Sequence, residues 1–255
     1  MSAGYLAEVF SAIQGEGLFV GERQIFVRLA GCNLRCAFCD TAWARERPLY
    51  CRAERTPGKR DFEELANPFE AGGAAELVSR LHSLPRLHDA ASLTGGEPLL
   101  QPEFVCGLAQ RVRAAGLKVH LETNGTLANQ LTSVLDAVDV IAMDVKLPSA
   151  AGFECWDDHR AFLEAARPFI RRDDALLFAK AIFAQTTTDE EVERLCRLLA
   201  EVSAETPLVL QPVSVVRGGP APPSPGRALD LQAAAKQLLP HVRVIPQTHK
   251  LVRQM

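Results

Sequence analysis

The sequence predicts an α/β fold of about six parallel strands joined by helical crossovers, an incomplete TIM-like barrel or a doubly wound sheet. Three observations point there. Short apolar runs alternate with segments whose apolar residues recur at helical spacing, the pattern of strand–helix–strand units in a parallel sheet. One run, Val138–Lys146 (VDVIAMDVK), reads as buried on both faces, as strands of such a sheet are. The strands are too few for a closed eight-fold barrel, which leaves an open partial barrel or a doubly wound sheet. No G-x-G-x-x-G follows any strand, so the dinucleotide-binding form of the latter has no support.

The elements follow in order. Gln24–Leu29 (QIFVRL) is the expected first strand. Leu77, Leu81 and Leu84 repeat with helical spacing and predict a helix over 75–84. Ala91–Leu93 is a short strand that ends in Thr94-Gly95-Gly96. Phe104, Leu108 and Val112 place one apolar face on a helix over 103–115. Leu117–Thr123 (LKVHLET) is a strand closed by the turn signal Asn124-Gly125, and a helix is expected over 127–137. Trp156–Ile170 reads as a helix and Leu176–Ala184 (LLFAKAIFA) as a strand. Thr188 and Glu191 form a capping box ahead of Val192, Leu195, Cys196 and Leu199. Pro207–Val213 is a strand, Arg217–Arg227 a Pro/Gly loop, 229–239 a helix, and VRVIPQ the final strand. Residues 44–73, rich in charge, Pro and Gly, read as an insertion or lid within a single domain spanning 1–255, because so long a loop is uncommon without a function.

Composition narrows the function. The 255 residues are 47% hydrophobic and carry a formal net charge of −3. That charge offers no footprint for nucleic acid or a membrane surface. No apolar run approaches the roughly 20 residues of a membrane span. The N-terminal stretch lacks the basic start and apolar core of a signal peptide, so a cytoplasmic protein with reduced thiols is expected.

Seven cysteines are present, and three of them, Cys32, Cys36 and Cys39, fall within GCNLRCAFCDT directly after the first strand. Three soft thiolates on one short loop suit one face of an iron–sulfur cubane. A cubane has four irons, so one stays without a protein thiolate, and an open coordination position is how a metal site admits a substrate or cofactor. The competing reading is a zinc knuckle, but no second Cys or His pair stands at matching spacing. Cys51 is the one plausible fourth ligand, and a fully ligated cluster would make the protein an electron carrier. Cys196 reads as core, and Cys106 and Cys155 as free thiols.

The C-x3-C-x2-C loop in this context resembles the radical S-adenosylmethionine (SAM) superfamily, with Phe38 at the aromatic position of its motif. The resemblance implies a [4Fe-4S] cluster whose open iron is chelated by SAM. It implies reductive cleavage of the sulfonium to a 5′-deoxyadenosyl radical. SAM contacts are then expected from Phe38, Cys39 and Asp40, from Gly96 in TGGEP, from Asp144, Val145 and Lys146, and from Gln211, Pro212, Val213 and Ser214. Glu122 and Asn124 are weaker candidates for the same ligand.

Four segments resemble one family more closely, the 7-carboxy-7-deazaguanine synthases: Ile13–Gly17 (IQGEG), Phe26 to Thr41, Ser92–Pro98 (SLTGGEP) and Gln247–Lys250 (QTHK). The family converts 6-carboxy-5,6,7,8-tetrahydropterin to 7-carboxy-7-deazaguanine, a queuosine precursor, with loss of ammonia. The resemblance implies that Ile13, Gln14, Gly15 and Glu16 border the pterin and that Arg28 takes its carboxylate, a use suited to a planar fork. It implies that Thr41 ligates Mg2+, that Thr94 and His249 reach the substrate, and that the terminal carboxylate of Met255 does too. A flavodoxin or ferredoxin-type electron donor and a homodimer are implied as well. The rival within the superfamily is a glycyl-radical activase, which has no need of IQGEG or QTHK.

Overall fold

Ten runs of the chain extend as strands of one sheet in a computed structural model, which describes residues 3–254. They are β1 (Leu6–Ile13), β2 (Arg23–Leu29), β3 (Tyr50–Glu54), β4 (Phe62–Ala66), β5 (Ala90–Gly95), β6 (Lys118–Thr123), β7 (Val140–Val145), β8 (Leu176–Phe183), β9 (Leu208–Pro212) and β10 (Val242–Val244). Their spatial order is β10-β9-β8-β7-β6-β5-β2-β1-β3-β4. From β2 through β5 to β10 every neighbouring pair is parallel. This run is the partial barrel, and β1 and the β3–β4 hairpin extend its edge.

Side-chain alternation gives the sheet two different faces. On β2, Ile25, Val27 and Leu29 enter the main core, while Gln24, Phe26 and Arg28 turn the other way. On β6 the core takes Val119 and Leu121, and the opposite face presents His120 and Glu122. On β7 it takes Ile141, Met143 and Val145, leaving Ala142 and Asp144 opposite. The core face is covered by helices α1 (Ala71–Leu81), α2 (Pro102–Ala114), α3 (Trp156–Ile170), α4 (Asp189–Val202) and α5 (Pro225–Lys236). The opposite, polar face lines a cavity.

Strand β1 was not expected from the sequence. LAEVFSAI lacks a clean apolar alternation because Glu8 and Ser11 are both buried, one on each face. Glu8 pairs with Arg28 on the cavity side, and Ser11 meets His88 at 2.7 Å on the other. Residues 44–73 contribute β3 and β4, antiparallel to one another, with β3 parallel to β1.

Three helix boundaries differ from expectation. Helix α1 starts at Ala71 and ends at Leu81; Leu84 lies beyond it and is 59% exposed. Tertiary packing overrides the poor helix propensity of Gly72 and Gly73, since α1 closes on α2 where a Cβ at Gly107 would stand 3.3 Å from that of Ala71. Residues 127–137 form two single turns, Ala128–Leu131 and Leu135–Ala137, instead of one helix. There the Thr132 and Ser133 hydroxyls donate to the Asn129 and Gln130 carbonyls at 2.8 Å each, competing with a helical ladder. Helix α5 begins at Pro225, inside the expected loop, because Ser224 Oγ accepts from Arg227 N–H at 3.1 Å and Pro suits the first helical position. The Thr188–Glu191 capping box opens α4 as expected, a feature worth about 1 kcal/mol. Among the described residues no helix is long and apolar enough to cross a membrane.

Candidate active site

The cavity on the polar face has a volume of about 570 Å3, within the usual span for small-molecule sites. It sits at the C-terminal ends of the parallel strands, where side chains and loops from several strands meet.

The cysteine loop forms one wall. Cys32, Cys36 and Cys39 all border the cavity, and all are free thiols. Burial pushes Cys36 up to about 11 and also raises Cys32, with the Lys146 ammonium opposing it in both. A bound metal's charge would reverse that balance and hold the thiolates. Among the described residues no three His, Cys, Asp or Glu side chains converge tightly enough for a single ion. Three soft thiolates on one short loop, all bordering the same cavity, fit a cluster as a donor set. Cys51 does not join them: it is fully buried in the main core on β3, its thiol pushed up to about 12 by burial and then by Glu8. Cys196 is likewise core, as expected.

Gly95 and Gly96 fit the cysteine loop against β5. Gly96 N–H donates to Leu29 O at 3.0 Å and Glu97 N–H to Gly31 O at 2.7 Å. Gly95 has φ +140°, and a Cβ at Gly96 would fall on the Gly31 carbonyl. Both positions therefore require glycine. Glu97 is buried and its carboxyl raised by that burial, although it accepts from Leu99 N–H, Asn124 N–H and Thr123 Oγ1. It ties the TGGEP turn to the end of β6.

Beside the cysteines lie Asp144 and Lys146, paired at 2.9 Å, with the Lys146 ammonium 5.3 Å from the centroid of the Phe38 ring. Burial works to lower the Lys146 pKa, but Asp144 outweighs it and the group is raised. Asp144 Oδ1 and Gln211 Oε1 are buried without a hydrogen-bond partner in a cavity both residues line. Orphaned acceptors of this kind await donors, such as the hydroxyl and amino groups of a nucleoside. Val213 and Ser214 line the same end. Val145 turns into the core, and Pro212 does not border the cavity.

The opposite half is built on Glu122. Its carboxylate accepts from Gln14 Nε2 at 2.9 Å, Ser92 Oγ at 2.7 Å and Thr94 Oγ1 at 2.9 Å. Arg28 reaches into the cavity from β2 with its Nε 2.9 Å from Glu8 Oε1. The 13–17 loop closes over this end. Gly15 makes room for His249, whose ring stands where a Cβ would be, and Gly15 O accepts from Thr248 N–H at 2.9 Å. Gln247 Nε2 donates to Glu16 Oε1 at 2.6 Å, and Lys250 Nζ to Asp40 Oδ2 at 2.9 Å. QTHK thus joins the 13–17 loop to the cysteine loop. Burial would raise the Glu16 carboxyl, but the Lys180 ammonium, hydrogen bonds from Lys180 and Gln247 and the charge of His249 together outweigh it and hold it at about 2. Thr41 lines the cavity with its hydroxyl 3.9 Å from Cys39 Sγ.

Of the expected site residues, Ile13, Gln14, Gly15, Glu16, Arg28, Cys32, Cys36, Phe38, Cys39, Asp40, Thr41, Thr94, Gly96, Asp144, Lys146, Gln211, Val213, Ser214 and His249 share this one cavity. Met255 lies outside the described residues. The sequence reading missed Glu8, His120 and Lys180, which also line it. A signal for Lys180 existed: it is the one charge within the apolar run LLFAKAIFA.

The family model of the radical SAM superfamily matches residues 27–202. The chain is 43% identical over 253 residues to a 7-carboxy-7-deazaguanine synthase of Geobacter sulfurreducens, covering 98% of this chain and 97% of that one. It is 37% identical over 246 residues to one of Methanopyrus kandleri, covering 96% and 92%. Among solved structures it is similar to QueE from Escherichia coli, with a TM-score of 0.62 at 21% identity over 97% of this chain and 95% of that one. It is also similar to a radical SAM methyltransferase from Sphaerobacter thermophilus, with a TM-score of 0.62 at 14% identity over 94% and 77%. At those identities the two structures speak for the fold alone. The cysteine loop, the Gly-Gly turn seated on it, and near full-length identity to two synthases agree: the chain belongs to the radical SAM superfamily and, within it, to the 7-carboxy-7-deazaguanine synthases.

Proposed function

We propose that this protein converts 6-carboxy-5,6,7,8-tetrahydropterin to 7-carboxy-7-deazaguanine with loss of ammonia, on the path to 7-deazapurine bases. One observation supports this reading above the rest: the 13–17 loop, the cysteine loop and QTHK meet on one cavity through named hydrogen bonds. A glycyl-radical activase has no need of the contacts by which the 13–17 loop and QTHK meet at this cavity.

When bound, a [4Fe-4S] cluster on Cys32, Cys36 and Cys39 together with SAM supplies the radical that removes hydrogen from the substrate. The other roles fall to the chain. Phe38, Asp40, Gly96, Asp144, Lys146, Gln211, Val213 and Ser214 hold SAM. Arg28 takes the substrate carboxylate through the face of its guanidinium not held by Glu8. Glu122 fixes Gln14 and Thr94 so that both face the pterin. Ile13, Gly15, Glu16 and His249 enclose it and exclude water. Thr41 supplies one oxygen to a Mg2+ that keeps its remaining positions for water and substrate.

The same reading makes the enzyme a cytoplasmic homodimer that takes electrons from a flavodoxin or ferredoxin-type donor and needs no nucleic acid. Residues 44–73 are proposed as an insertion that extends the sheet edge and lends Arg52 to the cavity wall. The test is turnover. Anaerobically reconstituted protein with reductant, SAM, Mg2+ and the tetrahydropterin should yield a deazapurine by mass spectrometry. Formation of 5′-deoxyadenosine alone would overturn the assignment.

A further inference from the structure

One half-buried side chain in the cavity has no part in these roles. Lys180 stands on β8 between Glu16 and Asp144. Its ammonium bonds Glu16 Oε2 and lies 3.6 Å from Asp144 Oδ2. Glu16 passes the contact to Gln247, and Asp144 passes it to Lys146, which rests over Phe38. A file of alternating charge thus runs from the proposed substrate half to the proposed SAM half, with Lys180 at its centre. Burial works to lower the Lys180 pKa, but Asp144, Glu16 and Glu122 outweigh it and raise the group, so it is a cation at neutral pH.

Two anions share this one cation, so what happens at one is felt at the other. Asp144 Oδ1 is buried and unpartnered. A donor that satisfies it draws negative charge from Asp144 and leaves Lys180 closer to Glu16. A ligand that engages the 13–17 loop changes the hold of Glu16 on Lys180 in turn. Inside a cavity of low dielectric such exchanges are weakly screened. Any such coupling is reciprocal by thermodynamic necessity.

We propose that Lys180 is a positioning residue that couples the two halves of the site, so that substrate seated against the 13–17 loop tightens SAM through the Glu16–Lys180–Asp144 file. The inference rests on the proposed function. It gives the enzyme a way to restrict SAM cleavage to the substrate-bound state.

The test measures binding. Anaerobic, cluster-loaded protein with its cluster oxidised cannot cleave SAM, so the Kd of SAM is obtained by calorimetry with and without the tetrahydropterin. In the natural chain the pterin should tighten SAM by about fivefold or more, the lower range of allosteric coupling. In K180Q the ratio should fall to near one while, in a separately reduced sample, the cluster's paramagnetic resonance still responds to SAM. K180R should restore much of the ratio. Under reducing conditions K180Q should also release more 5′-deoxyadenosine per deazapurine than the natural chain. A K180Q protein that unfolds earlier yet keeps the full ratio is merely less stable, and the inference is wrong. If K180Q does not fold, E16Q, which removes the charge at one end with little change of shape, decides: an unchanged ratio refutes the coupling. A natural chain that makes the deazapurine but shows no coupling sinks this inference alone. A natural chain that neither binds the pterin nor makes the product sinks the proposed function first.

Discussion

Replacing Gly96 with Ala puts one methyl group between the two loops that build the cluster wall. The added Cβ would lie 2.6 Å from the Gly31 carbonyl carbon and 3.1 Å from Cys32 Cβ. Ordinary contact begins at 3.4 Å, so the Gly31 carbonyl carbon must retreat from 2.6 to 3.4 Å, at least about 0.8 Å, and its oxygen, which lies nearer still, must move further. No rotamer change relieves this, because the obstacle is backbone. The shift carries Cys32 with it and strains the Glu97–Gly31 hydrogen bond of 2.7 Å. A displacement near 1 Å in a reacting geometry costs about 10²-fold in rate, or ~2.7 kcal/mol of barrier. The expected result is a G96A enzyme with kcat/KM lowered about 10²-fold and reduced cluster content per chain. G226A serves as the control, since nothing lies within 4 Å of a Cβ there and the position is helical. It should leave turnover unchanged and gain up to ~1 kcal/mol in stability. The assays are iron and sulfide content, cluster absorbance and anaerobic turnover. A G96A protein with full cluster and normal turnover would refute the claim that this glycine sets the spacing of the cluster wall.

Two further outcomes follow from the site. T41A should raise the Mg2+ concentration needed for half-maximal turnover by about tenfold while cluster absorbance stays intact; loss of the absorbance would make Thr41 structural. His159 gives the pH dependence. Its Nε2 accepts from Lys146 N–H at 2.9 Å and its Nδ1 donates to Gly125 O at 3.0 Å, which requires the neutral ring. Burial lowers its pKa from 6.5 to about 4. Between those values the unfolded chain binds the proton and the folded one does not, so stability is complete above pH 6.5 and is lost as pH falls toward 4. H159Q should remove roughly 1–3 kcal/mol of that loss, read from urea midpoints at pH 7 and pH 5. Equal pH slopes in the two proteins would contradict it.

Much of the barrel was legible because its strands read as short apolar runs, and the helices between them repeat at 3.6 residues. The cysteine loop was legible because three thiols at that spacing have few other uses. The polar residues that went unread share one cause. Glu8, Ser11 and Lys180 are polar residues inside strands, and their burial is tolerable because each has a partner far along the chain: Arg28, His88 and Glu16. Before the partners are known, the first two obscure a strand and the third looks like a stray charge. The turns at 128–137 and the early start of α5 were misjudged because a few hydroxyl hydrogen bonds outweighed weak local propensities.

By itself the sequence determined which loop carries the thiols, which segments alternate as strand and helix, and which family the motifs resemble, since all of these depend on residues close together in the chain. Tertiary structure alone decided that Cys51 is core and no ligand, that QTHK closes over Gly15, and that Lys180 stands between Glu16 and Asp144. These facts pair residues up to 233 positions apart, and only the closing of the sheet around one cavity brings such residues within hydrogen-bond reach.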